Sequence, residues 1–323
     1  MENFENRIDI TAFSDKVEKL KAQIATIVVG QGQAVDLILT ALLADGHVLI
    51  EGVPGVAKTL LAKLTAKLVE ADYSRIQFTP DLMPSDVLGT SVFNLKTSEF
   101  EFHKGPVFSE IVLIDEINRA PAKTQAALFE VMEERQVTVD GFTRTMSDIY
   151  TVVATQNPIE QEGTYRLPEA QLDRFLMKIS VDYPQPDEEF TILKRHHENR
   201  QLTKLNEIVS VISKQELLEF RELVSKVFVE DSLLKYISEI IIATRKSPAV
   251  YLGASPRASV ALLNASKAYA LLQGRDFITP DDIKYLGVPV LQHRLILSPE
   301  TEMEGHSAAT VCKRLIEKVE VPK

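Results

Sequence analysis

The feature that most constrains this chain is a glycine-containing segment at residues 52–59, with the sequence Gly-Val-Pro-Gly-Val-Ala-Lys-Thr. It follows an apolar run at residues 48–50 and precedes a stretch with helical periodicity at residues 60–70. A strand, such a loop and a helix that opens on Lys-Thr form an arrangement that binds nucleotide phosphates through inward-pointing backbone N–H groups. In that arrangement Lys58 reaches the β- and γ-phosphates, and the Thr59 hydroxyl can ligate Mg²⁺. A plain turn between a strand and a helix is the alternative that this segment alone leaves open.

One position of this segment departs from the usual pattern, in which a second glycine comes directly before the lysine. Ala57 occupies that position. Because alanine keeps its backbone N–H and adds only a methyl group, we expect Ala57 to be tolerated if its φ is negative.

Composition and charge narrow the class of protein. The chain has 323 residues, 45% of them hydrophobic and 25% charged, which is typical of a globular protein large enough for two domains. A net charge of −10 argues against general attraction to nucleic acid or to anionic membranes. Cys312 is the single cysteine, so we expect neither an intrachain disulfide nor a cysteine metal cluster. We find no signal-peptide pattern and no apolar run of 18 residues, and we therefore expect a cytoplasmic protein without a membrane span.

The predicted secondary structure divides the chain into two parts. After helices in the first 45 residues, short apolar strands alternate with helices, which predicts a parallel sheet covered on both faces. The candidate strands are 47–51, 74–78, 111–115, 150–155 and 176–181, and the candidate helices between them are 58–70, 121–134 and 168–174. Two prolines and two acids at residues 182–187 indicate a boundary. We therefore predict an α/β domain at residues 1–184 and a helical domain at residues 185–323. Its candidate helices are 187–200, 214–226, 231–246, 255–273, 280–287 and 305–319.

Two adjacent acids end the apolar strand at residues 111–115. Parallel strands deliver their carboxyl ends to one edge of the sheet, so Asp115 and Glu116 should lie next to the phosphate-binding loop. There Asp115 would hold Mg²⁺, and Glu116 would polarise the water that attacks the γ-phosphate. The alternative is that the two acids only cap the helix that follows them.

Three further polar residues are candidates for the same chemistry. Asn157 follows the next strand, and its amide would lie near the γ-phosphate if that strand lies between the loop strand and the acid strand; a plain Asn-Pro turn is the alternative. Arg174 comes just before the last predicted strand, too far round the edge of the sheet to be an obvious ligand of its own nucleotide. It could reach the γ-phosphate of a neighbouring subunit, or it could be an ordinary surface arginine. Arg257 begins a helix of the second domain and could reach back across a cleft to the phosphates.

Taken together, these motifs resemble those of the AAA+ ATPases, and within that group they most closely resemble the MoxR family. The resemblance runs from about residue 15 to the C-terminus. The segments that carry it are 28–31, 52–59, 78–86, 105–108, 115–121, 154–158, 162–165, 167–175 and 253–257.

The resemblance implies a fold, a cofactor and a set of roles. The fold is a P-loop NTPase α/β core with a parallel five-stranded sheet, followed by a small all-helical lid. ATP and Mg²⁺ would bind between the core and the lid, and the subunits would assemble in a hexameric ring. Lys58 and Thr59 match the Walker A pair, and Asp115 and Glu116 match the Walker B pair. The remaining matches are Asn157 with sensor 1, Arg174 with the arginine finger, and Arg257 with sensor 2. The nucleotide contacts implied are Val29, Gly30, Gln31, Pro54, Gly55, Val56, Ala57, Lys58, Thr59 and Leu60.

Two insertions read as β-hairpins, at residues 89–106 and at residues 135–149, the second with Asp140-Gly141 as its turn. In a ring they would face the pore or one ring surface. Both carry charges of mixed sign, so we do not expect a pore that grips DNA.

The sequence thus predicts a Mg²⁺-dependent ATPase that remodels or matures a partner protein. The resemblance implies a chaperone-like role beside a partner with a von Willebrand factor A domain. The sequence does not identify the client protein. The alternatives are a nucleotide-gated binding module with little turnover, and a motor subunit related to magnesium chelatase or to hexameric helicases.

Overall fold

The computed structural model describes residues 9–53, 55–158, 165, 167–198 and 208–322. Its strands, numbered in chain order, are β1 His47–Gly52, β2 Tyr73–Gln77, β3 Gly89–Asn94, β4 Glu99–Lys104, β5 Ile111–Asp115, β6 Gln136–Val139, β7 Phe142–Thr145, β8 Thr151–Gln156, β9 Phe175–Val181, β10 Val250–Leu252 and β11 Ile296–Leu297. Its α-helices are α1 Thr11–Ile27, α2 Gly32–Leu43, α3 Lys58–Leu68, α4 Pro84–Leu88, α5 Ala122–Glu134, α6 Glu169–Leu172, α7 Pro186–His197, α8 Lys214–Lys226, α9 Asp231–Lys246, α10 Pro256–Leu272, α11 Pro280–Leu291, α12 Pro299–Met303 and α13 Ala308–Lys318. Short 3₁₀ helices lie at Pro106–Phe108, Ile117–Arg119 and Gln292–Arg294.

Five of the strands form a parallel sheet with the spatial order β2-β5-β8-β1-β9. All residues of β5 and all but the last of β8 are buried. Continuous apolar strands of this kind form because helices cover both faces of the sheet and leave neither face to water. The predicted five-stranded parallel sheet is confirmed. β8 lies between β1 and β5, which meets the condition under which Asn157 would lie near the γ-phosphate.

The parallel arrangement gives the sheet two different edges. At the first, which we call the carboxyl edge, β1, β5 and β8 end at Gly52, Asp115 and Gln156. At the second, the amino edge, His47 of β1 pairs in register with Phe175, the first residue of β9. The six residues of β1 separate the two edges by about 16 Å. The position of a residue along the strands therefore decides which predicted site residues can meet.

Both predicted hairpins are present. β3 pairs with β4 and β6 pairs with β7, each in antiparallel register. Asp140 and Gly141 form the turn of the second hairpin with φ values of 53° and 80°, and positive φ at both positions is typical of a type I′ turn. The two hairpins touch, because the guanidinium of Arg144 lies 3.8 Å from the centre of the Phe102 ring.

The second half of the chain is helical, with two departures from the prediction. β10 and β11 pair as a short antiparallel ladder, and strands of three and two residues are too short to give a periodic pattern. In addition, α11 continues to Leu291, beyond the predicted end at residue 287, although it contains Pro289. A proline inside a helix is expected to end it. Val290 and Leu291 are fully buried, so tertiary packing keeps this segment helical beyond Pro289.

The helical half shares an apolar core with the sheet. One continuous cluster of buried side chains runs from Phe13 in α1 through α2 and β1 to Ile316 in α13. α10 packs against α2, and α11 packs against β9. Because this cluster runs across residue 184, the division into domains 1–184 and 185–323 stays a prediction. In the part of the chain that the structure describes, no helix is both long enough and apolar enough to cross a membrane.

Candidate active site

The glycine-containing loop connects β1 to α3 at the carboxyl edge. Gly55 has a φ of 88°, and Ala57 has a φ of 60° and a ψ of 20°, so both adopt left-handed conformations before α3 begins at Lys58. The condition that we expected for Ala57, a negative φ, is therefore not met. An alanine in this conformation costs about 1–2 kcal/mol relative to the right-handed region. Val56, between the two, is buried and anchors the loop; Pro54 lies outside the described residues.

Lys58 begins α3 directly after this loop, near Asp115, the last residue of β5, and Glu116, which follows it. Its Nζ donates a hydrogen bond to the carbonyl oxygen of Gly52, at 2.5 Å. Burial lowers the pKa of the Lys58 ammonium below its usual value, and the negative charges of Asp115 and Glu116 oppose that shift. The structure thus brings together the three charged residues that the sequence predicts for this site.

Asp115 is the last residue of β5 and is only 7% exposed. Its Oδ2 accepts a hydrogen bond from Arg75 Nε at 2.6 Å, and its Oδ1 accepts one from the Thr155 hydroxyl at 3.1 Å. The Asp115 carboxylate and the half-buried Thr59 hydroxyl are hard oxygen ligands of the kind that Mg²⁺ prefers. Within the described ranges no group of three or more His, Cys, Asp or Glu side chains could hold a metal ion. The residues fit Mg²⁺ as a pair of protein ligands, with phosphate oxygens and water supplying the others.

Glu116 has an unusual backbone and a tethered carboxylate. Its φ of 56° and ψ of 54° are left-handed, a conformation that costs a non-glycine residue about 1–3 kcal/mol and concentrates at functional sites. Its backbone N–H donates to the Thr155 hydroxyl at 3.1 Å. Its Oε2 accepts hydrogen bonds from Gln77 Nε2 at 2.8 Å and from Arg119 Nη1 at 3.2 Å. The carboxylate is therefore held toward β2.

Asn157 is buried directly after β8. Since β8 lies between β1 and β5, Asn157 is at the carboxyl edge between the glycine-containing loop and the acids. The structure places it in the neighbourhood that its predicted role requires.

Residues 29–31, predicted to contact the base of the nucleotide, connect α1 to α2. Gly30 has a φ of 76°, and a side chain there would collide with the carboxylate of Glu188 in α7. Gly30, Gln31 and Glu188 line a cavity of about 430 Å³. Val29 and Leu60 are both half-buried. The assignment of these residues to adenine stays a prediction.

The two predicted arginines lie together at the opposite edge. Arg174 directly precedes Phe175, whose partner in the sheet is His47 at the start of β1. The side chain of Arg257 pairs with Glu133 of α5, and Arg174 Nε lies 3.5 Å from the other oxygen of that carboxylate. Both guanidiniums therefore lie at the edge of the sheet opposite the glycine-containing loop of their own chain, and β1 separates the two edges by about 16 Å.

For Arg174 this position agrees with the expectation that it serves a neighbouring subunit. For Arg257 it does not agree with the expectation of a reach back across the cleft to the phosphates of its own chain. The physical reason is the packing of the helical half, which lies against α2 and β9 and so delivers the start of α10 to the amino edge.

Several residues at these edges were not identified from the sequence. At the carboxyl edge they are Gln77 and Thr155, which hold Glu116 and Asp115. At the amino edge they are Glu133 and Arg294, which hold Arg257 and Asp173. Gln77 and Thr155 stand at the ends of predicted strands, so their position was a usable signal. No comparable signal points to Glu133 or Arg294, because their partners come from distant segments.

The chain is similar to known proteins of one family. The family model described as ATPase family associated with various cellular activities matches residues 47–177, and the model of the AAA lid domain matches residues 242–315. The protein YeaC of Bacillus subtilis is 49% identical over 94% of this chain and 94% of its own length. Chaperone MoxR1 of Mycobacterium tuberculosis is 43% identical over 95% of this chain and 82% of its own length. A solved structure from Cytophaga hutchinsonii is 41% identical, covers 97% of both chains and superposes with a TM-score of 0.89.

The five-stranded sheet and the matches to the ATPase and lid families thus define an AAA+ ATPase. The protein MoxR of Methylorubrum extorquens is also similar, at 30% identity over 91% of each chain. The chain belongs to the MoxR family of AAA+ ATPases.

Proposed function

We propose that this chain is a Mg²⁺-dependent ATPase that works in an oligomeric ring and uses hydrolysis to remodel a partner protein. The observation that carries the proposal is the meeting of Lys58, Asp115 and Glu116 beside the glycine-containing loop. A cation for phosphate, a carboxylate for the metal and a second carboxylate for water are the groups that hydrolysis of a phosphoanhydride needs.

Each side chain has its own task in the proposed reaction. Mg²⁺, when bound, would neutralise charge on the phosphate oxygens, with Thr59 and Asp115 as its protein ligands. Lys58 would leave its carbonyl acceptor and donate to the terminal phosphates. Glu116 would accept a hydrogen bond from the attacking water and orient it, while Asn157 would hold that water or the γ-phosphate through its amide.

We further propose that each site is completed by the next subunit of the ring. The support is the separation of the two edges: the phosphate-binding groups lie at the carboxyl edge, and Arg174 and Arg257 lie at the amino edge. A closed ring with head-to-tail contacts joins two different surfaces of neighbouring subunits, and we propose that these are the amino edge of one subunit and the carboxyl edge of the next. Both arginines would then serve the neighbour's nucleotide. A hexamer is the ring that the family resemblance implies.

The remodelling role has two supports. One relative is named a chaperone. In addition, the first hairpin exposes large apolar side chains, among them Phe93, Leu95 and Phe100, which suit contact with a protein more than with the phosphates of DNA. We propose a protein client and, from the resemblance, a partner with a von Willebrand factor A domain.

The chemical part is tested by ATP hydrolysis and nucleotide binding with Glu116→Gln and Lys58→Ala. We expect Glu116→Gln to bind Mg²⁺-ATP like the wild type and to lose turnover, because only the orientation of water is lost. Lys58→Ala should lose binding as well. Turnover by Glu116→Gln at the wild-type rate would contradict the role of Glu116.

The shared site is tested by mixing two inactive variants. Arg174→Ala retains its own phosphate site, and Glu116→Gln retains the arginines. Removal of an arginine finger typically costs about 10³–10⁵ in turnover, so neither variant alone should hydrolyse ATP appreciably. A mixture should recover activity at the interfaces where an intact phosphate site meets intact arginines. A mixture as inactive as its components would contradict action in trans.

One observation favours a second candidate, a nucleotide-gated binding module. The Glu116 carboxylate is held by Gln77 and Arg119, so the chain could bind ATP without orienting water until a partner releases Glu116. Mg²⁺-dependent ATP binding with negligible wild-type turnover at every protein concentration would favour this candidate.

A further inference from the structure

Glu133 connects the two arginines of the amino edge. It is the next-to-last residue of α5, and its carboxylate is partly exposed. One oxygen, Oε1, accepts a hydrogen bond from Nη2 of Arg257. The other, Oε2, lies 3.5 Å from Nε of Arg174. Each carboxylate oxygen therefore faces a different guanidinium.

The two arginines come from different parts of the fold and carry like charges. Arg174 belongs to the segment before β9, and Arg257 belongs to the first turn of α10 in the helical half. Two guanidiniums repel each other when they converge, and a carboxylate between them offsets that repulsion. Among the residues that the structure describes, the other contacts of Arg174 are weak: Nη1 donates to the Ala170 carbonyl at 3.4 Å, and its guanidinium lies 6.0 Å from the Phe129 ring.

The same geometry suits a phosphate group. Carboxylates and phosphates both present oxygens that accept from the N–H fork of an arginine. Two guanidiniums that converge on the two oxygens of Glu133 are therefore already close enough together to converge on two oxygens of a terminal phosphate. Arg257 is 51% exposed on its side chain, so it can turn from the carboxylate to a group that approaches from outside the subunit.

We propose that Glu133 is a positioning residue for the arginine pair: it holds Arg174 and Arg257 together, in the absence of a neighbour's nucleotide, at the separation that a terminal phosphate requires. The inference rests on the proposed function, in which both arginines act on the neighbouring subunit. Glu133 lies away from the glycine-containing loop of its own chain, at the amino edge beside His47, whose ring bonds to the carbonyl of the preceding Met132.

The first experiment measures turnover and nucleotide affinity of Glu133→Ala and Glu133→Gln. Misplacing a catalytic group by about 1 Å can cost about a hundredfold in rate, so we expect Glu133→Ala to lose about tenfold to a hundredfold in ATP turnover. Glu133→Gln, which retains one oxygen acceptor, should lose less. Affinity for Mg²⁺-ADP should stay within about twofold of wild type in both. The exposed neighbour Glu134→Ala is the matched control and should keep wild-type turnover.

The second experiment asks whose active site Glu133 serves. Glu133→Ala is mixed with Glu116→Gln, which supplies intact Glu133, Arg174 and Arg257. We expect recovery of turnover, to the extent seen when Arg174→Ala is mixed with Glu116→Gln. Recovery with Arg174→Ala but not with Glu133→Ala would overturn the role of Glu133 and leave the shared site standing. Failure of both mixtures would overturn the shared site and the inference with it.

Discussion

Arg294 is the most completely bonded cation that the structure describes near the arginine pair, and its replacement has a calculable cost. Its side chain is 4% exposed, and Nε donates to Asp173 Oδ1 at 2.6 Å. Its two terminal nitrogens donate to the carbonyls of Asp173, Phe175, Leu176 and Val290. These bonds tie the segment that carries Arg174 to the helical half.

We expect Arg294→Met to lower the free energy of unfolding by about 3 kcal/mol. Breaking a buried ion pair by removing one partner costs about 3–5 kcal/mol, because the remaining charge and acceptors stay desolvated. The lower end applies here, since the Asp173 side chain is 23% exposed and water can solvate part of its carboxylate. Because the entropy of unfolding is about 2.1 cal/mol/K for each residue, one kcal/mol corresponds to about 1.5 °C in a chain of 323 residues, and the melting temperature should fall by about 4–5 °C.

The assay is urea unfolding followed by circular dichroism, with the melting temperature as a second measure. Arg314→Met, an exposed arginine of α13, is the control and should cost less than about 0.5 kcal/mol. At temperatures where Arg294→Met is fully folded, its ATP turnover should still be below wild type, because the segment that carries Arg174 has lost its anchor. A loss of less than about 1 kcal/mol, with no more effect than the control, would refute the reasoning.

Three further predictions concern Ala57 in the glycine-containing loop, the buried His47, and the hydrogen bond from Gln77 to Glu116. Ala57→Gly should raise the free energy of unfolding by up to about 1 kcal/mol in urea titrations. Glycine removes about 1–2 kcal/mol of left-handed backbone strain from the folded state, which is more than it adds in conformational freedom to the unfolded chain. A loss of stability would contradict the positive φ of Ala57. Burial lowers the pKa of His47 to about 4, against 6.5 when unfolded, so the folded state favours the neutral ring. Its contribution of about 3 kcal/mol should be complete above pH 6.5 and be lost as the pH falls toward 4, and unfolding curves of His47→Gln should lack this part of the pH dependence. Gln77→Ala should raise basal ATP turnover severalfold with unchanged Mg²⁺-ATP affinity, because it frees Glu116 from a 2.8 Å hydrogen bond; unchanged or slower turnover would mean that Gln77 does not restrain the acid.

The carboxyl edge could be predicted from the sequence because its residues follow apolar strands. Asp115 ends such a strand and Asn157 comes after another, and parallel strands bring their ends to one edge whatever connects them. The hydrogen bond from Gln77 to the Glu116 carboxylate could not be predicted. It depends on the register that sets Gln77 opposite Asp115, and no local pattern encodes that register.

The position of Arg257 could not be predicted for a similar reason. The first turn of α10 is clear from the sequence, but its place in the fold depends on the face of the sheet against which the helical half packs. The positive φ of Ala57 could not be predicted either, because alanine normally avoids the left-handed region. In both cases distant packing decides a local property.

The most direct test of the shared active site is ATP turnover per subunit across a series of protein concentrations, with Glu116→Gln subtracted as background. A site built from the carboxyl edge of one subunit and the amino edge of the next exists only in the assembled protein. We therefore predict that turnover per subunit rises with concentration and reaches a plateau as the ring forms. Turnover per subunit that is the same at every concentration, down to those at which sedimentation finds only monomers, would contradict it.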